Sequence, residues 1–222
     1  MKLPIVIIGF GGHGRVVADA LLAGGFHILA ATDCAPAQTH NTGMRLEIIT
    51  DEHLLELYPP ASIVLALGIG SIWPVTADSL RRKVVSRFEE RGYQFGGVRH
   101  PSAIISPYAR VALSAQVHAG AVVQVGTQVG DHSIINTKAS VDHDCRIGDY
   151  CHIGPGATLS GCVELGEGVH VGTGASIIQG VCIGDRAFIA AGATVVSDIA
   201  AGAYVRGTPA RTFEPKSVRH DL

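Results

Sequence analysis

The chain has 222 residues, 47% of them apolar and 5% aromatic, with 28 glycines and a formal net charge of −2. That length holds one large domain or two small ones, and a near-neutral charge without a basic run excludes a nucleic-acid or anionic-membrane surface as its main partner. Few aromatics and many glycines suit a narrow solenoid with tight corners.

Residues 1–100 read as an α/β unit. A strand over Pro4–Gly9 enters the loop Gly9-Phe10-Gly11-Gly12-His13-Gly14. Its apolar stretch, Ile5–Phe10, is too short to span a membrane and runs straight into glycine, so it reads as a strand and not as a secretory leader. An amphipathic helix follows, with Val16, Val17, Ala20 and Leu21 on one face. A second strand over Phe26–Thr32 ends at Asp33, and a third over Ser62–Gly68 ends in Gly68-Ile69-Gly70. Trp73–Arg91 reads as a helix broken near its start by Pro74, and Tyr93–Val98 as a further strand. Strands alternating with helices predict a small parallel sheet. About a hundred residues suffice for one mononucleotide-binding unit, but not for a two-half dinucleotide domain.

Gly9, Gly11 and Gly14 match GxGxxG between a strand and a helix. Glycine lets the backbone approach a phosphate, and a helix N-terminus offers it unpaired N–H groups. Gly11, Gly12 and His13 are therefore candidate ligand contacts. Asp33, ending the next strand, is placed to accept from a ribose hydroxyl. His13 could donate to a diphosphate, contact a sugar beyond it, or merely cap the helix.

His100-Pro101 marks the boundary, and residues 101–222 form the second unit. From Ile105 to Val195 every sixth residue is aliphatic, through sixteen repeats without a slip. Four residues after each stands another buried-type residue, mostly small, such as Ala109, Ala121 and Ala139. Hexapeptide periodicity predicts a parallel β-helix. Positions 5 and 1 point inward, position 6 points out, and positions 3 and 4 turn the corner. Cys145 and Cys151 fall at inward positions, no cysteine pair has CxxC spacing, and the five cysteines read as small apolar residues in a reducing cytoplasm.

Four motifs carry a resemblance over essentially the whole chain. They are Gly12-His13-Gly14 with Val16-Val17, Asn136-Thr137, the run from Val141 through His143-Asp144 to His152, and the closing Gly207-Thr208-Pro209-Ala210-Arg211. Together they resemble the PglD/NeuD-type sugar acetyltransferases, within the left-handed β-helix acyltransferases. The resemblance implies a left-handed coil of eighteen residues, a cytoplasmic homotrimer with active sites between subunits, and acetyl-CoA as co-substrate without a metal. It implies transfer to the amine of a nucleotide-linked amino sugar by direct attack. The sugar would be a 4-amino-4,6-dideoxyhexose on UDP or GDP, such as the bacillosamine precursor or perosamine.

Acetyl transfer needs a base for the attacking group and a donor for the oxyanion. An imidazole titrates near neutral pH, so His143 on its corner suits the first role. Asp142 and Asp144 flank it, and either could orient the ring; the resemblance implies Asp144. It also implies Gly161, eighteen residues on, as the oxyanion donor. For the coenzyme it implies contact with His152; Thr173 and Ala191, eighteen apart, form a second corner column that a long coenzyme lying along the prism would contact, and Arg211 is a candidate for its phosphates. Asn136 is implied near the sugar, and Gly68 near the nucleotide or sugar. His118, His132 and His170 are expected at the surface. Asp33 followed by Cys34, and Gly68-Ile69-Gly70-Ser71, depart from the family pattern and leave base and sugar open. The alternatives are an O-acetyltransferase of the sialic-acid type, and an NAD-linked oxidoreductase suggested by GxGxxG but lacking a second nucleotide half. A metal hydratase on the same solenoid would need a histidine pair five apart, which the sequence does not have.

Overall fold

The structure, a computed structural model, describes residues 3–34, 43–70 and 80–214. The first part is an α/β unit: β1 (Ile5–Ile8), α1 (Gly12–Ala23), β2 (Ile28–Thr32), β3 (Glu47–Ile49), α2 (Asp51–Leu57), β4 (Val64–Leu67) and α3 (Leu80–Glu89). The four strands form one parallel sheet in the order β3-β2-β1-β4. All four residues of β1 are buried, because a parallel sheet is covered on both faces. On one side Ile5 and Ile7 pack with Val17, Ala18 and Leu21 of α1. On the other, Val6 and Ile8 pack with Leu54 of α2 and Phe88 of α3.

Several elements differ from the sequence expectation. β3 and α2 have no counterpart in it, because a three-residue strand and a seven-residue helix are too short to show a period. The buried face of α1 contains Ala18, while Val16 is 40% exposed. The expected start of the third helix, at Trp73 and Pro74, lies outside the described residues. The expected strand over 93–98 divides: Phe95 bridges Leu65, whereas β5 (Val98–Arg99) pairs with Gln116 and Val117 of the next unit.

The second unit is a three-sided parallel coil. Ile134 pairs with His152 and with Gln116, eighteen residues away on either side. The two-residue strands stack into sheets of eight, six and five strands. On each of the three sides an aliphatic column and a mostly small-residue column fill the interior, as the period dictates. Some small inward residues are polar for a local reason. Thr127 Oγ1 donates to Asp142 O (2.6 Å) and Ser133 Oγ to Gly148 O (2.7 Å), satisfying corner carbonyls. Cys145 and Cys151 do the same with Ser160 O and Gly166 O. These two cysteines are buried as expected, whereas Cys34, Cys162 and Cys182 are exposed. The fourth position of the repeat takes positive φ, and Lys138, Asp144 and Cys162 adopt it without being glycine. Each costs on the order of 1 kcal/mol, offset by coil-to-coil bonds such as Asp144 N to Val125 O (3.0 Å).

The α/β unit docks on the eight-stranded sheet. Position 6, expected to face water, is buried there: Gln116 is 1% exposed and Ile134 0%. The Arg81 guanidinium of α3 is buried and donates to the carbonyls of His132 and Tyr150. Arg82 lies 4.0 Å over the Tyr150 ring and pairs with Glu167. The surface assignment of three histidines is therefore corrected: His118 and His132 are buried, and His170 is half-buried, stacked 4.9 Å from Phe188. Among the described residues, no helix is long and apolar enough to cross a membrane.

Burial pushes His118 down to about 3 and His170 down to about 4. Both rings are neutral when folded and bind a proton near pH 6.5 when unfolded. Their folded values lie below the unfolded one, so stability is complete above pH 6.5 and is lost as pH falls toward 4. The slope is about 1.4 kcal/mol per ring per pH unit. Thermal unfolding should therefore show a loss of roughly 3–4 kcal/mol between pH 6.5 and 5. A melting temperature that stays flat across that interval would contradict neutral, buried rings.

Candidate active site

Two groups of the expected site residues form, on different sides of the coil. The first surrounds the glycine loop. β1 delivers the chain to Gly9 at φ +88°, and a Cβ on Gly14 or Gly68 would overlap the Gly9 carbonyl. These glycines bring α1 and the end of β4 against the end of β1. A Cβ on Gly11 would meet nothing within 4 Å, so the loop is open on its outer side. α1 starts without a side-chain cap or an acidic residue in its first turn, leaving backbone donors for an anion.

Gly11, Gly12, His13, Asp33 and Gly68 line one cavity of about 730 Å³. It lies at the carboxyl ends of β1, β2 and β4, where the strand order reverses, as expected for open parallel sheets. Thr50, Asp51 and Arg87 complete the wall, with Arg87 paired to Asp51. Sequence reasoning missed Thr50 and Asp51 because α2 carries too little pattern to be seen, and Arg87 because a charged residue on α3 carries no mark of the cavity it borders. His13 reaches across to the coil, with its Nε2 2.9 Å from Gln116 Oε1. Its ring stands edge-on to His118 at 5.2 Å and 6.4 Å from His152.

On that same sheet Asn136 and His152 come together. Asn136 Oδ1 accepts from Thr137 N (2.7 Å), so its amide nitrogen faces His152 Nε2 at 3.0 Å. His152 Nε2 then accepts, and the ring proton resides on Nδ1. Nδ1 is buried with no protein partner among the described residues. Burial, with the neighbouring His170 adding to it, holds His152 well below the usual histidine range. Thr173 and Ala191 are exposed on the corner that follows this sheet, joined by Gly192 N to Thr173 O (2.9 Å). Arg211 is exposed near the end of the described chain.

The second group occupies another corner. His143 Nδ1 lies 2.9 Å from Asp144 Oδ2, while Asp142 Oδ1 accepts the His143 backbone N–H (2.7 Å). Asp144 thus holds the ring, and Asp142 holds the turn. A carboxylate only accepts, so Nδ1 carries the proton and Nε2 of the neutral ring carries a lone pair. The Asp144 hydrogen bond raises the His143 pKa above 6.5, opposed by slight desolvation and aided by the Asp142 charge. Gly161, one coil on, is buried beneath the ring, and a Cβ there would overlap Nε2. Cys162, not anticipated at the site, brings its Sγ within 4.8 Å of ligand atoms of both His143 and Asp144.

The two groups do not meet within one chain. After the eight-stranded sheet at His152–Ile153 the coil passes to the six-stranded sheet at Thr158–Leu159, then to the five-stranded sheet at Glu164–Leu165. Gly161 and His143 sit on the corner between the last two. That corner is the edge of the prism farthest from the sheet that carries the α/β unit.

Residues 4–88 match the family model of the PglD N-terminal domain, and residues 126–161 that of the bacterial transferase hexapeptide (six repeats). No curated protein matches the chain. Among solved structures, the acetyltransferase domain of PglB from Neisseria gonorrhoeae FA1090, in complex with acetyl coenzyme A, is 33% identical. It covers 96% of this chain and 100% of its own, with a TM-score of 0.86. PerB from Caulobacter crescentus, in complex with CoA and GDP-perosamine, is 35% identical over 95% of this chain and 97% of its own, with a TM-score of 0.85. WeeI from Acinetobacter baumannii AYE is 23% identical over 96% and 100%, with a TM-score of 0.76, and shares the fold. With a third of the residues identical over nearly the whole of both chains, this protein belongs to the PglD/NeuD-type sugar acetyltransferases, built as a Rossmann-like α/β unit followed by a left-handed parallel β-helix.

Proposed function

We propose that the protein transfers the acetyl group of acetyl-CoA to the amine of a nucleotide-linked amino sugar. In this reading residues 1–100 hold the nucleotide and residues 101–222 hold the coenzyme and the chemistry. The observation that carries it is the His143 ring, held by Asp144 at Nδ1 and packed on Gly161 with Nε2 left over. The neutral amine attacks the thioester carbonyl, and His143 Nε2 takes its proton as the N–C bond forms. The Gly161 N–H donates to the oxyanion. Collapse breaks the C–S bond, and the departing thiolate receives the proton from the imidazolium. No acyl-enzyme intervenes.

The separation of cavity and imidazole within one chain supports assembly. A neighbouring copy supplies His143, Asp144 and Gly161 to the face where His13, Asn136 and His152 stand, and three copies close the ring. The coenzyme follows the Thr173 and Ala191 corner with Arg211 near its phosphates. His152 contacts the coenzyme at the reacting end. Asp33 takes the ribose, and the glycine loop with Gly68 takes the diphosphate end of the nucleotide. The sugar is a 4-amino-4,6-dideoxyhexose on GDP or UDP; PerB, which is similar over nearly the full chain, is complexed with GDP-perosamine.

The test is a panel of GDP-, UDP- and dTDP-linked amino sugars incubated with acetyl-CoA, followed by free-thiol release. Release with one amino sugar, and a product heavier by one acetyl on nitrogen, is expected. Acetylation of a sialic-acid hydroxyl with no turnover of any amino sugar would replace this reading by the O-acetyltransferase one.

A further inference from the structure

Gln116 makes three hydrogen bonds, two of which, to Leu67 and His13, link the two halves of the molecule. Its Nε2 donates to Leu67 O at 2.7 Å, at the end of β4. A backbone carbonyl only accepts, so the amide nitrogen must face it, and Oε1 faces the other way. There Oε1 stands 2.9 Å from His13 Nε2 and 3.1 Å from His118 Nε2. An amide oxygen has two lone pairs and no proton. Both imidazoles must therefore donate to it, each from Nε2–H. Gln116 is 1% exposed and His118 0%, so water does not compete. The His13 ring also rests on Gly70, where a Cβ would stand 3.4 Å from its Cβ and Cγ. Burial, opposed by the Gln116 bond, lowers the His13 pKa from the ordinary value, in keeping with a neutral ring.

We propose that Gln116 is a positioning residue that fixes the proton of His13 on Nε2, so that the ring nitrogen left over on this cavity-lining residue, Nδ1, is an acceptor. The group it meets is then a hydrogen-bond donor, a hydroxyl or amine of the sugar, and not the diphosphate. A phosphate offers only acceptors at neutral pH, and an imidazole whose single N–H is committed to Gln116 has nothing to give it. The diphosphate is left to the backbone donors at the start of α1. This inference rests on the nucleotide-sugar reading of the cavity.

Two measurements test it. Long-range proton–nitrogen spectra of histidine-labelled protein should show His13 in the Nε2–H form at neutral pH, and Gln116→Met should give mixed tautomers. An Nδ1–H or imidazolium pattern in the unaltered protein would overturn the proposal. Because Gln116 is buried and its variant could fail to fold, His13→Gln provides a second arm. Its amide keeps a donor toward Gln116 and removes Nδ1. Calorimetric titration should show about ten-fold weaker binding of GDP-mannose or UDP-N-acetylglucosamine, whichever binds the unaltered protein, the loss of one hydrogen bond. Affinity for GDP or UDP alone should stay within about two-fold, well under the loss of a hydrogen bond. Equal losses for the nucleotide and its sugar conjugate would place His13 on the phosphates and overturn this inference alone. No binding of any probe to the unaltered protein would overturn the nucleotide-sugar reading with it.

Discussion

Replacing His143 by asparagine is expected to lower kcat by about three orders of magnitude, within the range for removal of a general base. The ring is on an exposed corner, and its ion pair with Asp144 is solvent-screened, so it contributes little to stability. Folding and assembly should survive, and the melting temperature should move little. The asparagine amide can still accept a hydrogen bond, but it cannot carry a proton from the amine to the leaving thiolate. The KM for acetyl-CoA should change little, since the coenzyme is assigned to the other corner column. In the unaltered enzyme the rate should rise with pH through the His143 pKa, which Asp144 holds above 6.5. The asparagine variant should lose that limb. Steady-state kinetics with thiol detection checks both, and a variant with undiminished turnover would remove His143 as the base.

Gly161→Ala is expected to lower kcat by about a hundred-fold through His143 rather than through its own backbone. The added Cβ would overlap Nε2 and crowd the rest of the imidazole. Because the ring is half in solvent it can swing aside, so the coil survives while the base leaves its place. Displacement of a reacting group by about 1 Å can cost this much. Gly168→Ala is the control. Gly168 adopts φ +68° on a different corner, and a Cβ there makes only ordinary contact with Arg186. That variant should lose about 1 kcal/mol of stability and keep its kcat. If Gly161→Ala retained full activity, the close approach of ring and glycine would have no catalytic meaning. A crystal structure of the variant should show the ring turned from the corner.

Much of the site was legible because it is local. His143 and Asp144 are neighbours in sequence, and their hydrogen bond spans one residue. Gly161 follows from the eighteen-residue coil that the family resemblance implies, since one turn of the prism places it over His143. The same reasoning left Asp142 and Asp144 undecided, because both flank the ring in sequence. Only the left-handed turn at Asp144, φ 58°, sends its carboxylate to Nδ1 while Asp142 caps the backbone. His118 and His132 were misplaced at the surface because the hexapeptide frame describes a coil facing water on every side. It carries no record of the α/β unit that covers one face.

The sequence by itself determined the β-helix, its inward columns, the glycine loop and the corner that pairs His143 with Asp144. Each is a repeat or a short motif whose physics acts between near neighbours or at a fixed period. The tertiary structure alone decided that Arg81 is buried against His132 and Tyr150, and that Thr50, Asp51 and Arg87 wall the cavity. It alone set Gln116 against His13, 103 residues away, and placed the cavity on the far side of the prism from its own His143. Such contacts depend on how two separately patterned units pack, and packing joins side chains that no period in the chain relates.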